Sequence, residues 1–410
     1  MEYHGRDKIP QDGAVIYAAN HTNTLMDALA VLAMNKEAKV FVARADIFKH
    51  PLMLRFLTFL KMLPINRKRD GTENLSKNEE INDIVVDALR DRVSFCILPE
   101  GTHRTMHSLM PLQKGLFRIA LQANDAFGDT MPLYIVPVGI EYGHYFRYRS
   151  TLLVQVGEPI DVTKFVKEHS KLTIPQQISA LRIELSDQIK KVILQIPDDA
   201  HYHTTLELTQ LYGNEQQRWL NLGRHSIINR FSAAKETIKS IELFLQSNPQ
   251  EMLKILDMTA DFSRQRHTLG IGMESVFTPH IRWSLIGKAL LLLLGLPLFI
   301  GSSVVTSPVT LLSIWLCSKF KDKAFHNTVR YLTALALLPI LWLIEVAVVF
   351  IFISWIWGAL FTLLYIPSFV FVHVYIRLIR RFISDIKWLV HRDLYRQFKK
   401  IKIFKTRLIT

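Results

Sequence analysis

The apolar residues of the first 165 positions fall into short runs that are separated by amphipathic segments. Five runs rich in β-branched residues predict strands: AVIYAAN, KVFVAR, VSFCILPEG, LYIVPVGIEYG and TLLVQVGEP. Between them, segments such as LMDALAVLAMN and LQKGLFRIALQAND repeat their apolar residues at helical spacing. This alternation predicts an α/β domain over residues 1–165, in which helices flank a mixed β-sheet.

The middle of the chain, residues 166–275, has a mostly helical pattern. Its clearest amphipathic period lies in the segment QQISALRIELSDQIKKVILQI. We find no motif with recognisable chemistry in this region. We therefore interpret it as a helical accessory or connector region.

Two long apolar runs follow. Residues 289–316 contain no formal charge, and residues 331–376 contain only Glu345. Because a hydrocarbon core about 30 Å thick is crossed by about 20 helical residues, both runs have membrane lengths. The second run is long enough to fold back, and the segment from Ser354 to Gly358 is its expected turn.

Basic residues lie before, between and after the two runs. Since basic flanks stay in the cytoplasm, each run should enter and leave the membrane on the same side. We therefore predict a membrane domain over residues 276–376 with two hydrophobic hairpins. The first, which is expected to be re-entrant, would break near Gly295 and Pro297 or between Gly301 and Pro308. A three-pass alternative would place the C-terminal tail on the other side.

Composition and charge agree with a protein that is partly in lipid. Of 410 residues, 49% are hydrophobic and 21% are charged, and the net charge is +14. Residues 377–410 contain 11 Lys and Arg against 2 Asp, so this basic tail carries +9 of the excess. Apolar residues interleave the cations, which predicts an amphipathic helix bound to anionic membrane lipids. Nucleic-acid binding is not indicated, because no reading element accompanies the charge.

The compartment follows from the N-terminus and the cysteines. The first ten residues lack the basic flank and apolar stretch of a secretory signal. Cys96 and Cys317 lie far apart in apolar runs, which excludes a disulfide framework or a CxxC metal site. We expect an integral membrane protein whose N-terminal domain and basic tail lie on the cytoplasmic face. The segment Tyr3–Gly5 has the pattern of a strand interior, and we expect a further helix upstream of it.

The first candidate for chemistry is a histidine at a strand-to-helix turn. The strand AVIYAAN leads directly into His21, and Asp27 follows a short way into the next helical segment. On a regular helix this offset would separate the two side chains by about 120°, so the turn must bring them together. If they meet, Asp27 accepts the imidazole N–H and His21 acts as a general base. The alternative is a histidine and a helix N-terminal acid that never meet.

Three further segments add a cation, a polar turn and a bent strand. Arg67 ends the extended stretch PINR, and the rigid fork of an arginine matches phosphate oxygens. A turn suited to phosphate follows the strand VSFCIL and contains Glu100, Gly101, Thr102 and Arg104. Val136 and Pro137 lie in the apolar strand IVPVG, which suits the lining of an acyl chain.

In their order along the chain, NHTNTLMD, PINR, LPEGTHR and IVPVG resemble the four motifs of the PlsC-like glycerolipid acyltransferases. The resemblance covers residues 1–165. It implies transfer of a fatty acyl group from acyl-CoA or acyl carrier protein to a hydroxyl of glycerol 3-phosphate, lysophosphatidate or a related lysophospholipid. It also implies that His21 is the general base, that Asp27 orients it, and that Arg67 and the Glu100–Thr102 turn hold the acceptor phosphate. No metal and no cofactor besides the acyl donor is implied.

The chain also departs from the family pattern. Five residues separate His21 from Asp27, where most members have four. This spacing resembles the yeast-type glycerol-3-phosphate acyltransferases and favours glycerol 3-phosphate as acceptor. His103 stands between the threonine and Arg104 of the third motif, which weakens the role of that arginine. Lys114 lies beside a family-like glycine and is a further candidate for phosphate contact.

Two other functions fit parts of this pattern. No serine or cysteine nucleophile accompanies the histidine, so for an acyltransferase we expect direct attack in a ternary complex. A metal-dependent lipid-phosphate phosphohydrolase would instead use the set His21, Asp27, Glu100, His103 and His107. A non-catalytic lipid-binding membrane protein would have a decayed site, but both members of the His–Asp pair are present.

Overall fold

The computed structural model describes residues 1–49, 51–66, 77–197, 199–223 and 226–403. The chain forms two compact units, Met1–Gln195 and Ile196–Thr410. The first unit continues beyond residue 165, the predicted end of the α/β domain, because the next long helix buries one side in the core of this unit.

Eight strands in the described part of the chain form one sheet. They are β1 (Glu2–His4), β2 (Ala14–Ala19), β3 (Lys39–Arg44), β4 (Met62–Ile65), β5 (Ser94–Ile97), β6 (Leu133–Tyr142), β7 (Leu152–Val156) and β8 (Ile160–Asp161). The strand order is β1-β7-β6-β2-β5-β3-β4, and β8 pairs with β6. β6 runs antiparallel to β7 and β8, while the other pairs are parallel. The predicted mixed sheet is therefore confirmed.

Helices cover both faces of this sheet. They are α1 (Leu25–Leu32), α2 (Pro51–Phe59), α3 (Lys77–Arg90), α4 (Gly115–Phe127), α5 (Val162–Glu168) and α6 (Ile174–Val192). Successive side chains of a strand point to opposite faces. In β2, Ile16 and Ala18 pack in the cluster that contains α3 to α6, while Tyr17 packs in the cluster that contains α1. Because β2 is buried on both faces, its C-terminal end has a rigid position in the centre of the sheet.

The second unit is helical. Its elements are α7 (Tyr202–Trp219), α8 (Ile227–Ser247), α9 (Pro249–Thr268), α10 (Met273–Val276), α11 (Ile281–Ser318), α12 (Phe325–Phe352), α13 (Trp355–Val390) and α14 (Arg392–Ile403). By length and composition, three of them (α11, α12 and α13) can cross a membrane. A helical region followed by apolar membrane-type helices is the predicted order.

The break that we predicted inside the first apolar run is wrong. Helix α11 continues from Ile281 to Ser318 through Pro297 and Pro308. In apolar surroundings a proline can remain inside a helix when nearby hydroxyls satisfy the backbone groups that it frees. Accordingly, the Ser307 hydroxyl donates at 2.8 Å to the carbonyl oxygen of Val304, which Pro308 leaves without its helical N–H partner. The second run does turn where expected, because α12 ends at Phe352 and α13 begins at Trp355.

The start of α11 lies beside the end of α13. Lys288 forms an ion pair with Asp385. The Tyr375 hydroxyl donates to the carbonyl oxygen of Leu292 at 2.5 Å, and its ring stacks on Phe299 with centroids 4.3 Å apart. The basic segments before α11 and after α13 therefore lie at one end of these helices, although three helices connect them instead of two hairpins.

The tail helix α14 is amphipathic, as predicted, but its apolar side does not face lipid. Leu394, Phe398 and Ile401 are buried in a cluster with residues of α7, α9 and α10. The Tyr212 hydroxyl also donates to the carbonyl oxygen of Ile401 at 2.6 Å. The exposed side of the helix carries the cations Arg392, Arg396, Lys399, Lys400 and Lys402. The apolar residues Leu394, Phe398 and Ile401 of α14 are thus used within the second unit, while its cations are exposed.

Gly139 in β6 yields a test of the first unit. A Cβ atom at this position would lie 2.0 Å from the carbonyl oxygen of Val192 at the end of α6. We expect Gly139→Ala to lower the free energy of unfolding of this unit by about 1–3 kcal/mol, because strand and helix must separate. The measurement is hydrogen exchange of the β6 amides in detergent-solubilised protein. Gly115→Ala is the control, since nothing lies within 4 Å of its Cβ position, and equal exchange in both variants would contradict the packing.

Candidate active site

His21 and Asp27 meet at the C-terminal end of β2. The Nδ1 atom of His21 lies 2.9 Å from Oδ2 of Asp27. The same oxygen accepts the backbone N–H groups of Thr22 at 2.8 Å and Asn23 at 2.7 Å. The turn therefore wraps around the carboxylate, which is fully buried, and this brings together two side chains that a regular helix would separate.

The other oxygen of Asp27 is held by β6. The Tyr142 hydroxyl, at the end of that strand, donates to Oδ1 of Asp27 at 2.9 Å. Burial, and then the Asp27 charge, raise the pKa of Tyr142 well above its ordinary value, so this hydroxyl keeps its proton and remains a donor. The sequence analysis missed Tyr142. The only signal was a polar end, Glu141-Tyr142, on an otherwise apolar strand.

These contacts fix the orientation and the tautomer of the His21 imidazole. An ionised carboxylate only accepts hydrogen bonds, so Nδ1 of His21 carries the proton and Nε2 has a free lone pair. The side chain of His21 is 15% exposed, in contrast to 0% for Asp27. Asp27 is thus closed off from solvent, while the imidazole of His21 is partly accessible from outside the protein.

Glu100 lies in the loop of residues 98–114, which connects β5 to α4 and is called the 98–114 loop below. Its Oε1 atom accepts the backbone N–H of His21 at 2.5 Å, and its Oε2 atom accepts that of Met110 at 2.9 Å. The residue is 4% exposed. Burial raises the pKa of its carboxyl, and the two N–H donors oppose this shift. The side chain supports the backbone of His21 and is not presented to a phosphate, which a carboxylate would repel.

The other predicted phosphate ligands lie on the same loop or outside the described residues. Gly101 adopts a positive φ of 69° and is exposed, as is Thr102. The backbone N–H of Arg104 donates to the carbonyl oxygen of His21 at 3.2 Å. Lys114 is exposed immediately before α4. Arg67 lies outside the described residues.

His103 joins the site from the same loop. Its ring meets the ring of His21 edge to face, with centroids 5.5 Å apart. From the sequence, His103 was notable as the residue between Thr102 and Arg104 in the third motif and as a ligand of the metal-dependent alternative. The structure places it beside the candidate base.

Val136 and Pro137 lie in the core below the site. Both belong to β6 and are buried, and Val136 packs in the same cluster as Tyr17 and Val31. They keep β6 against β2, where Pro137 pairs with Ala18. Lining of an acyl chain by these residues stays a prediction.

A second histidine–carboxylate pair lies near the first. Nδ1 of His107 is 3.0 Å from Oε2 of Glu141, and these side chains are only 12% and 10% exposed. With Thr22, Glu100 and Tyr145 they line a narrow crevice. Within the described ranges no group of three His, Cys, Asp or Glu residues is arranged to hold a metal ion. The ligand set of the metal-dependent alternative is therefore not found in that part of the chain.

Comparison with known proteins agrees with the site. Residues 1–141 match the family model described as Acyltransferase. Over 121 residues the chain is 31% identical to glycerol-3-phosphate O-acyltransferase 2 of Saccharomyces cerevisiae. The aligned region covers 30% of this chain and 16% of that protein. Over 150 residues it is 27% identical to 1-acyl-sn-glycerol-3-phosphate acyltransferase of Cocos nucifera, covering 37% of this chain and 44% of that protein. The chain thus matches less than half the length of either relative.

A solved structure is also similar. It is the 1-acyl-sn-glycerophosphate acyltransferase PlsC from Thermotoga maritima, with 21% sequence identity and a TM-score of 0.33. The superposed region covers 46% of this chain and 68% of that chain.

Residues 1–141, which match the Acyltransferase family, include the His–Asp pair and the turn that holds it. The family match and the named relatives support a PlsC-like glycerolipid acyltransferase domain in this part of the chain.

The pair of His107 and Glu141 yields a pH test. Burial lowers the pKa of His107, but the charge of Glu141 and its hydrogen bond raise it, and the net direction is upward from 6.5. A raised folded-state pKa stabilises the fold fully below the unfolded pKa, and this contribution is lost as pH rises through the folded pKa. The stability difference between wild type and Glu141→Gln should therefore shrink with rising pH.

Thermal unfolding at several pH values and an NMR titration of His107 check this prediction. In Glu141→Gln the pKa of His107 should fall. Glu2→Gln is the control, because it removes the carboxylate beside the exposed His4 at the edge of the same sheet. A stability difference that is independent of pH would show that the charge of the pair contributes nothing.

Proposed function

We propose that the protein transfers a fatty acyl group from a thioester, acyl-CoA or acyl carrier protein, to a hydroxyl of glycerol 3-phosphate or lysophosphatidate. The observation that carries this proposal is the contact between His21 and the buried Asp27 inside a segment that matches the Acyltransferase family. The relatives named for these two acceptors support the substrate class.

In this reaction His21 is the general base. Its Nε2 atom accepts the proton of the acceptor hydroxyl while that oxygen forms a bond to the thioester carbonyl carbon. Asp27 stabilises the imidazolium that results. The tetrahedral intermediate then expels the thiolate, which receives the proton from His21. Among the described residues, the imidazole is hydrogen-bonded to Asp27 and not to a serine or cysteine, which supports direct attack without an acyl-enzyme.

The acceptor phosphate requires cations near His21. The candidates are Thr102 and Lys114, which are exposed on the 98–114 loop, Arg104, which is partly buried on the same loop, and Arg67. A fixed phosphate would hold the acceptor hydroxyl at Nε2 of His21, and such positioning removes up to about 7–11 kcal/mol of a barrier. The five-residue spacing within the dyad and the yeast relative favour glycerol 3-phosphate over lysophosphatidate.

The membrane part keeps the enzyme beside its lipid. We assign the catalytic domain and the tail to the cytoplasmic face, because the basic segments before α11 and after α13 lie at one end of these helices. The cations of α14 bind anionic lipid headgroups by charge alone, since its apolar side is already buried.

Replacement of His21 tests the reaction. His21→Ala should lower kcat by about 10²–10⁴-fold, because the acceptor hydroxyl loses its base. Purified protein in lipid nanodiscs is given radiolabelled acyl-CoA or acyl carrier protein with glycerol 3-phosphate or lysophosphatidate in separate reactions. His4→Ala, at an exposed histidine of the same unit, should remain fully active. Full activity of His21→Ala would refute the assigned base, and phosphate release in place of acyl transfer would favour the phosphohydrolase.

The charge of α14 has its own test. In nanodiscs with anionic lipid, amine labelling of Lys399 and Lys400 should be slower than in neutral nanodiscs, and 0.5 M salt, which shortens the screening length to about 4 Å, should abolish the difference. Each contact is worth about 1 kcal/mol. Labelling is quantified by mass spectrometry, with Lys164 of the exposed α5 surface as internal reference. Equal labelling in both lipids would contradict headgroup binding by this helix.

A further inference from the structure

The backbone of His21 is held on both sides by the 98–114 loop. The N–H group of His21 donates to Oε1 of Glu100 at 2.5 Å. Its carbonyl oxygen accepts the N–H of Arg104 at 3.2 Å. The loop thus contacts the peptide units before and after the base. Asp27 holds the ring and, through the N–H of Thr22, also the second of these peptide units.

This loop has no helix or strand of its own, so its shape depends on contacts with other elements. At its far end His107 pairs with Glu141 at 3.0 Å, and the N–H of Leu109 donates to Oε1 of Gln195 at 3.0 Å. The second oxygen of Glu141 accepts the N–H of Leu194 at 2.6 Å. One carboxylate of β6 therefore joins the loop to the segment that follows α6.

Two neighbouring residues of β6 support the His21–Asp27 pair through different contacts. Consecutive side chains of a strand point to opposite faces. Tyr142 donates to Asp27, which orients the imidazole, and Glu141 holds His107 and with it the loop that holds the backbone of His21. The ring of His21 is thus held through Tyr142, and its backbone through Glu141, from the same end of β6.

We propose that His107 and Glu141 are a positioning pair: they fix the 98–114 loop against the backbone of His21 and so set the imidazole for transfer. This inference rests on the proposed function for its catalytic part. The pair is nearly buried, and breaking a nearly buried charged pair by removing one partner is destabilising, so we expect the loop to shift when the pair is broken. A displacement of about 1 Å at a base is enough to lower the rate about 100-fold.

Three variants of the full chain in nanodiscs test the pair. His107→Leu removes the donor, His107→Asn keeps an N–H at the position of Nδ1, and Glu141→Gln keeps the shape of the acid without its charge. In His107→Leu we expect about 10-fold faster amide exchange at His21 and Arg104 and a kcat about 10–100-fold lower. His107→Asn should return the amide exchange and kcat most of the way to the wild-type values. A loss of packing alone would not explain such a recovery, because Asn is smaller than His.

The control is His4→Leu, which breaks an exposed histidine–carboxylate pair in the same sheet and should change neither readout. If His107→Leu does not fold, Glu141→Gln should show the same two changes in weaker form. Unchanged exchange at His21 would overturn the proposal, and so would faster exchange with unchanged kcat or a loss of kcat without faster exchange. If the wild-type protein is inactive with every donor and acceptor, the proposed function is refuted. The amide-exchange measurement would still show whether the His107–Glu141 pair fixes the 98–114 loop against the backbone of His21.

Discussion

The buried carboxylate of Asp27 is the group on which the site depends. A carboxylate without water is unfavourable unless donors satisfy its lone pairs. Here the imidazole of His21, two backbone N–H groups of the turn and the hydroxyl of Tyr142 supply four. These donors come from the turn after β2 and from β6, so satisfying one charge determines how the turn, the start of α1 and the neighbouring strand meet.

Two further carboxylates work in a similar way. Glu100 and Glu141 each use both oxygens for backbone N–H groups or an imidazole, and neither is presented to solvent. Acids at this end of the sheet therefore use their oxygens to hold the backbone and the imidazoles of the site. Under the proposed function the anionic acceptor would meet cations of the 98–114 loop, so the groups that hold His21 and those that attract the substrate would be separate sets.

The second unit follows the same rule in apolar surroundings. Lys288 and Asp385 are paired, and the Ser307 hydroxyl bonds the carbonyl oxygen of Val304 that Pro308 leaves without its helical partner. The tail helix buries its apolar residues within its own unit and leaves its cations outside. If this helix meets an anionic leaflet as proposed, the attraction depends on charge and is sensitive to salt.

The sequence by itself determined the mixed sheet and the apolar helices, because these follow from short-range periodicity. The pairing of His21 with Asp27 was implied only by the resemblance of its motif, since helical periodicity alone separates the two side chains. Only the tertiary structure decided the partners Tyr142 and Glu141, the role of Glu100 and the burial of one side of α14. The physical reason is distance along the chain: Tyr142 is 115 positions from Asp27 and Glu141 is 34 from His107. The order of the strands creates these contacts, and no local pattern encodes that order.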